Sequence, residues 1–96
     1  MDSKSIQRKL HAHKAELRRR FGISSLGLFG SYARGQQKKS SDVDILVRYK
    51  KTPGFFDYIR AENYISELLG AKVDLVIDRD LHPIVAKRIS GEVVPI

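Results

Sequence analysis

Apolar residues recur at Ile6, Leu10, Leu17 and Phe21, close to the 3.6-residue period of a helix, with His13 filling the gap on the same face. The spacing predicts one amphipathic helix over residues 3–20, capped by Ser3 and ended near Gly22. "ISSLGLF" then reads as a short strand leading into Gly30, and "DVDILVRY" as a second strand rich in β-branched and aromatic side chains. "KKTPG" is a loop with breakers at Pro53 and Gly54. Helical spacing returns at Phe55, Phe56, Ile59, Ile65, Leu68 and Leu69 and stops at Gly70. "KVDLVI" is a third strand. "LHPIVAKRI" is a last helix with Pro83 at its first position, where a missing N–H costs nothing. "GEVVPI" closes the chain as a short apolar tail. The order α-β-turn-β-α-β-α predicts a small α/β (α+β) fold, a sheet with helices packed on it.

Length and composition narrow this picture. Ninety-six residues make one domain with one hydrophobic core, divided here into a basic N-terminal helix (residues 1–22) and a core (23–96). Hydrophobic residues are 42% of the chain, too many for a disordered protein. With no cysteine, disulfides and thiolate metal sites are excluded. No apolar run approaches the ~18 residues that span a bilayer, and "MDSKSIQRKL" lacks the apolar segment of a secretory signal. These features predict a cytoplasmic protein. Net charge is +7, from 18 basic and 11 acidic residues. Much of it sits early, in Lys4, Arg8, Lys9, Lys14, Arg18, Arg19 and Arg20 against Asp2 and Glu16. Such a segment attracts polyanions or an acidic partner, or is simply a solvated helix face.

Against this background the acids within strands stand out. Side chains two apart on a strand share a face, so Asp42, Asp44 and Leu46 point one way and Val43, Ile45 and Val47 the other. Neighbouring carboxylates repel unless a cation lies between them or one is protonated. An oxygen-rich site with open positions suits Mg²⁺, which keeps waters and binds substrate phosphates. Asp74 interrupts the apolar "KVDLVI", an expensive place for an unpaired charge. If the two strands are neighbours, three carboxylates converge on one end of the sheet. Such a cluster can hold two metals roughly 3.5–4 Å apart and serve phosphoryl transfer, or supply a general base. The plainer reading makes each aspartate a turn or cap residue.

Gly30 follows a strand and precedes a helical turn, "SYARG", where a glycine lets backbone approach a ligand and free N–H groups face an anion. The Ser31 hydroxyl can add a hydrogen bond to a phosphate oxygen, or can be a helix N-cap. No Walker P-loop signature follows.

Together, "LGLFGSYARG", "GSYARGQQKKSSDVD", "SDVDILV", "KVDLVI" and "EVVPI" resemble the nucleotidyltransferase superfamily that includes DNA polymerase β, and within it the minimal nucleotidyltransferase (MNT) proteins. The resemblance runs from about Leu26 to the C-terminus. It implies a mixed sheet flanked by helices, two Mg²⁺ ions and ATP as nucleotide donor. It places Gly30 and Ser31 in the nucleotide-phosphate loop, Asp42 and Asp44 as metal ligands, and Asp74 as third carboxylate, metal ligand and base. It also implies an antitoxin paired with a HEPN-domain ribonuclease toxin, to which AMP is moved on a tyrosine. Arg34 is assigned to nucleotide contact or to structural support, its guanidinium suiting a phosphate or a carboxylate. "QQKKS" departs from the family by being basic where acids and proline are common. Ser41 reads as a turn residue, and His11, His13 and His82 as surface or packing residues. Two alternatives remain at this stage. One is a transferase acting on RNA or a small molecule, with Tyr32 and Tyr49 for base stacking. The other is an antitoxin that neutralises by binding alone, docking through the basic helix and the "VVPI" tail.

Overall fold

The computed structural model describes all 96 residues. Two helices open the chain where one was expected: α1 (Ser3–Ala12) and α2 (Lys14–Phe21). The break falls at His13, whose backbone leaves helical geometry at φ −108° and ψ 10°. Its ring Nδ1 bonds the Lys9 carbonyl oxygen at 2.8 Å, a side-chain contact with the helix's own backbone acceptors. The apolar period survives the break because Ile6, Leu10 and Leu17 all enter the same core. The N-cap is Asp2 rather than Ser3, its carboxylate accepting the Ser5 N–H at 2.9 Å.

β1 (Ile23–Phe29), α3 (Gly30–Arg34), β2 (Val43–Tyr49), α4 (Phe55–Leu69) and β3 (Val73–Ile77) follow. A 3₁₀ turn at Asp78–Asp80 then leads to α5 (Pro83–Ile89), where Pro83 opens the helix and the His82 ring accepts the Ile84 N–H at 3.2 Å. His82 is thus a helix cap. The short apolar tail contains a fourth strand, β4 (Val94–Pro95), which the sequence pattern did not predict. It pairs antiparallel with β1, Val94 opposite Leu28 and Pro95 opposite Gly27. Two residues are too short to show strand periodicity, so only the pairing reveals it.

The sheet is mixed, in the order β3-β2-β1-β4. β1 runs antiparallel to β2, whereas β2 and β3 are parallel and joined by α4, the crossover that a parallel pair requires. One face is the core. Leu26, Leu28, Val43, Ile45, Val47, Val73 and Leu75 from the strands pack with Ile6, Leu10 and Leu17 and with Ala61, Ile65 and Leu69 of α4. Strand alternation sends Asp44, Leu46 and Arg48 to the other face, which leaves it open for chemistry.

Candidate active site

Parallel pairing of β2 and β3 sets Asp44 directly opposite Asp74 in register, both on the face away from the core. Asp42 lies one residue before β2 begins, so strand alternation does not orient it as expected. A backbone bond from the Val43 N–H to the Lys72 carbonyl, 2.9 Å, holds that approach to the strand. The Asp42 carboxylate lies 3.9 Å from Lys72 Nζ, a loose contact with a largely exposed lysine. Asp74 is exposed, and no charged residue of the chain is buried. The expected cost of an unpaired charge inside an apolar strand therefore does not arise, because Asp74 points outward from it.

Asp44 is the most enclosed of the three by environment. Partial burial raises its pKa first, then the negative charges of Asp74 and Asp42, with Arg34 pulling the other way. Like charges crowding one carboxylate, with no hydrogen bond offsetting them, are what a cation relieves. Three hard oxygen donors fit Mg²⁺ in kind. Their side chains do not by themselves close into a three-ligand cage. Water and substrate phosphate oxygens are the usual complement of a Mg²⁺ site of this type.

Phe29 pairs with Asp44 across β1 and β2, so the turn into α3 passes directly over that carboxylate. Gly30 has φ +76°, and a Cβ built there would lie 2.1 Å from Asp44 Oδ2. Both the left-handed backbone and the close approach demand glycine. Ser31 is half-buried one residue further on. It is not the N-cap, a position held by Phe29. Ser41 is the turn residue expected, its hydroxyl accepting the Lys38 N–H at 2.8 Å. Lys38 and Lys39 are exposed beside it.

Arg34 bonds neither Asp42, Asp44 nor Asp74. Its Nη1 donates to both oxygens of Glu92, at 3.2 and 3.0 Å, and its Nε donates to Gln36 Oε1 at 3.1 Å. Glu92 also accepts the Gly30 N–H at 3.3 Å. The Arg34 hydrogen bond, helped by that N–H, holds the Glu92 carboxyl below the usual carboxylate range. Sequence reasoning missed Glu92, since its partners lie 58 and 62 positions away and only β4 brings them together. Tyr58, whose hydroxyl donates to the Leu75 carbonyl, also feels Asp74: burial, then Glu62 and Asp74, push its phenol up.

The open face of this small mixed sheet thus carries a glycine turn seated on Asp44, with Asp74 opposite it in register. The model of the nucleotidyltransferase domain matches residues 10–94, and the chain belongs to that family. Among its relatives is the protein adenylyltransferase MntA of Thermococcus cleftensis, 48% identical over 93% of this chain and 90% of that protein. A solved structure of a proposed minimal nucleotidyltransferase superposes with a TM-score of 0.85 at 30% identity, over 100% of this chain and 97% of that one. Two further structures share the fold. A toxin–antitoxin complex with AMP-PNP has a TM-score of 0.71 at 22% identity, covering 99% of this chain and 72% of that one. A tri-AMPylated HEPN toxin of Shewanella oneidensis in complex with MNT antitoxin gives 0.68 at 21%, covering 94% and 70%.

Proposed function

We propose that this nucleotidyltransferase is an antitoxin that moves AMP from ATP to a tyrosine hydroxyl of a HEPN-domain toxin and thereby silences it. The observation that supports the reading is the Asp44–Asp74 register with Gly30 packed on Asp44, which brings a glycine turn and two carboxylates to one place. The identity to an MntA adenylyltransferase supports the protein acceptor.

Asp42, Asp44 and Asp74 would hold Mg²⁺, which neutralises charge developing on the triphosphate and the attacking oxygen. Gly30 and Ser31 bind and orient the phosphates, and Arg34 adds a positive charge at the loop's end. Asp74 is the exposed carboxylate and the one that takes the proton of the acceptor hydroxyl. The acceptor oxygen forms a bond to the α-phosphorus, the bond to the bridging oxygen breaks, and pyrophosphate leaves. At an open face the acceptor approaches directly from a docked partner, with no second domain needed to deliver it.

The test is to incubate the protein with α-labelled ATP, Mg²⁺ and a HEPN-domain toxin from the same organism. Label is expected on a partner tyrosine, and none with Asp42→Asn/Asp44→Asn. Transfer that survives the double substitution overturns the site. Label on RNA in place of protein overturns the acceptor. A double variant that still neutralises the toxin at normal abundance would show neutralisation by binding alone.

A further inference from the structure

We propose that Glu92 is a positioning residue for nucleotide binding, acting through Arg34 and contacting no substrate itself. The inference rests on the reading that Gly30, Ser31 and Arg34 meet the nucleotide phosphates. Glu92 is the one side chain that touches both ends of that loop, the Gly30 N–H at 3.3 Å and the Arg34 guanidinium at 3.0 Å. A guanidinium is a rigid plane of five N–H donors, so fixing two of its nitrogens fixes the third. Glu92 holds Nη1 and Gln36 holds Nε, which leaves Nη2 as the nitrogen with no partner in the chain. That nitrogen is available to a phosphate oxygen at no cost in broken pairs.

The placement of Glu92 is itself built by the fold. Val94 and Pro95 pair with Leu28 and Gly27, which carries Glu92 and Val93, the two residues before them, to the end of β1, where α3 starts. Gly27 permits this. A Cβ on it would lie 2.5 Å from Val93 Cγ1, so the Val93 side chain takes up the space that a larger residue at position 27 would need. The turn before β4 therefore acts as a strut: strand pairing sets Glu92, Glu92 sets Arg34, and Arg34 presents its free nitrogen.

The experiment measures binding of a non-hydrolysable ATP analogue with Mg²⁺ by calorimetry, for Glu92→Gln, Arg34→Gln and the double variant, with melting temperature alongside. Each single substitution is expected to weaken binding about tenfold, the effect of losing a charge-assisted hydrogen bond. The double variant should be no weaker than the worse single one, because Glu92 acts through Arg34. Glu92→Asp, which keeps the charge and shortens the reach, should fall between Glu92→Gln and the unchanged protein. It also serves as the probe if Glu92→Gln melts early. Weakening by Arg34→Gln alone overturns the role of Glu92 and leaves the nucleotide reading standing. No effect from either overturns both. Additive losses mean that Glu92 acts independently of Arg34, and tighter binding in Glu92→Gln means that it competes with phosphate. Either result also overturns the proposal.

Discussion

At Gly30 a backbone conformation and a carboxylate compete for the same volume. Gly30→Ala would place a Cβ 2.1 Å from Asp44 Oδ2 on a backbone at φ +76°. The left-handed conformation alone costs a non-glycine residue about 1–2 kcal/mol, and the clash displaces a carboxylate of the site. Urea unfolding should show at least that loss, with nucleotide transfer falling more than tenfold (an order-of-magnitude expectation for a misplaced group,). Asp44 itself carries the opposite bias. Its pKa is raised by burial and by Asp74 and Asp42, so the folded state binds its proton more tightly than the unfolded chain does. The stability linked to that proton is present below the unfolded pKa and is lost as pH rises through the raised folded value. Asp44→Asn should therefore melt no lower than the parent at neutral pH without Mg²⁺, while losing transfer. A variant clearly less stable at neutral pH would show that Asp44 is structural. Glu92 has the other sign. Its pKa is depressed by Arg34 and Gly30, so its contribution is present at neutral pH and is lost on acidification through that lowered value. Screening by solvent keeps that contribution small at so exposed a pair.

Among the elements, β4 has the largest consequence for its size. Two residues of pairing anchor the segment that carries Glu92, and the Val93 side chain fills the space that a Cβ on Gly27 would need. Gly27→Ala should push that segment outward and weaken nucleotide binding without touching any residue of the site. Val93→Ala in the same chain should restore it by removing the atom that clashes. If analogue affinity is unchanged in Gly27→Ala, the strut is not transmitted through this contact. The core face behaves differently. Ile65 of α4 is fully buried against the sheet, so Ile65→Ala is expected to cost about 2–5 kcal/mol of stability. Chemical denaturation would show the loss, with the transfer rate of the remaining folded protein unchanged. The break at His13 is a reminder that periodicity reads the buried face and not the backbone. An uninterrupted apolar stripe crosses two helices.

For the whole molecule, a net charge of +7 coexists with a locally acidic site. The acids are gathered by β2 and β3 on one face, while the basic residues of α1 and α2 belong to the helical layer on the other. Binding of Mg²⁺ together with an ATP analogue to the folded state only should stabilise it by about 2.7 kcal/mol at a hundredfold excess over Kd. Thermal melts with and without the pair should show that rise in the parent chain and not in Asp42→Asn/Asp44→Asn. An equal rise in both would place the bound nucleotide elsewhere. No helix of the molecule is long and apolar enough to cross a membrane.

The local pattern of residues determined the three longer strands, the helices α4 and α5 and the candidate chemistry, because periodicity, breakers and acid spacing are short-range properties. Asp42, Asp44 and the Gly30–Ser31 turn were legible within fifteen residues of one another. That Asp74 faces Asp44 depended on a parallel register, which no stretch of sequence contains. The same holds for β4 and for the Glu92–Arg34 pair, where contact distance in space and separation along the chain are unrelated. The cost expected for Asp74 among its apolar neighbours also does not arise, because a strand at the sheet edge with one open face lets a charge point outward. The candidate residues of the site were thus readable one at a time. Their convergence on one face was decided only by strand order and register.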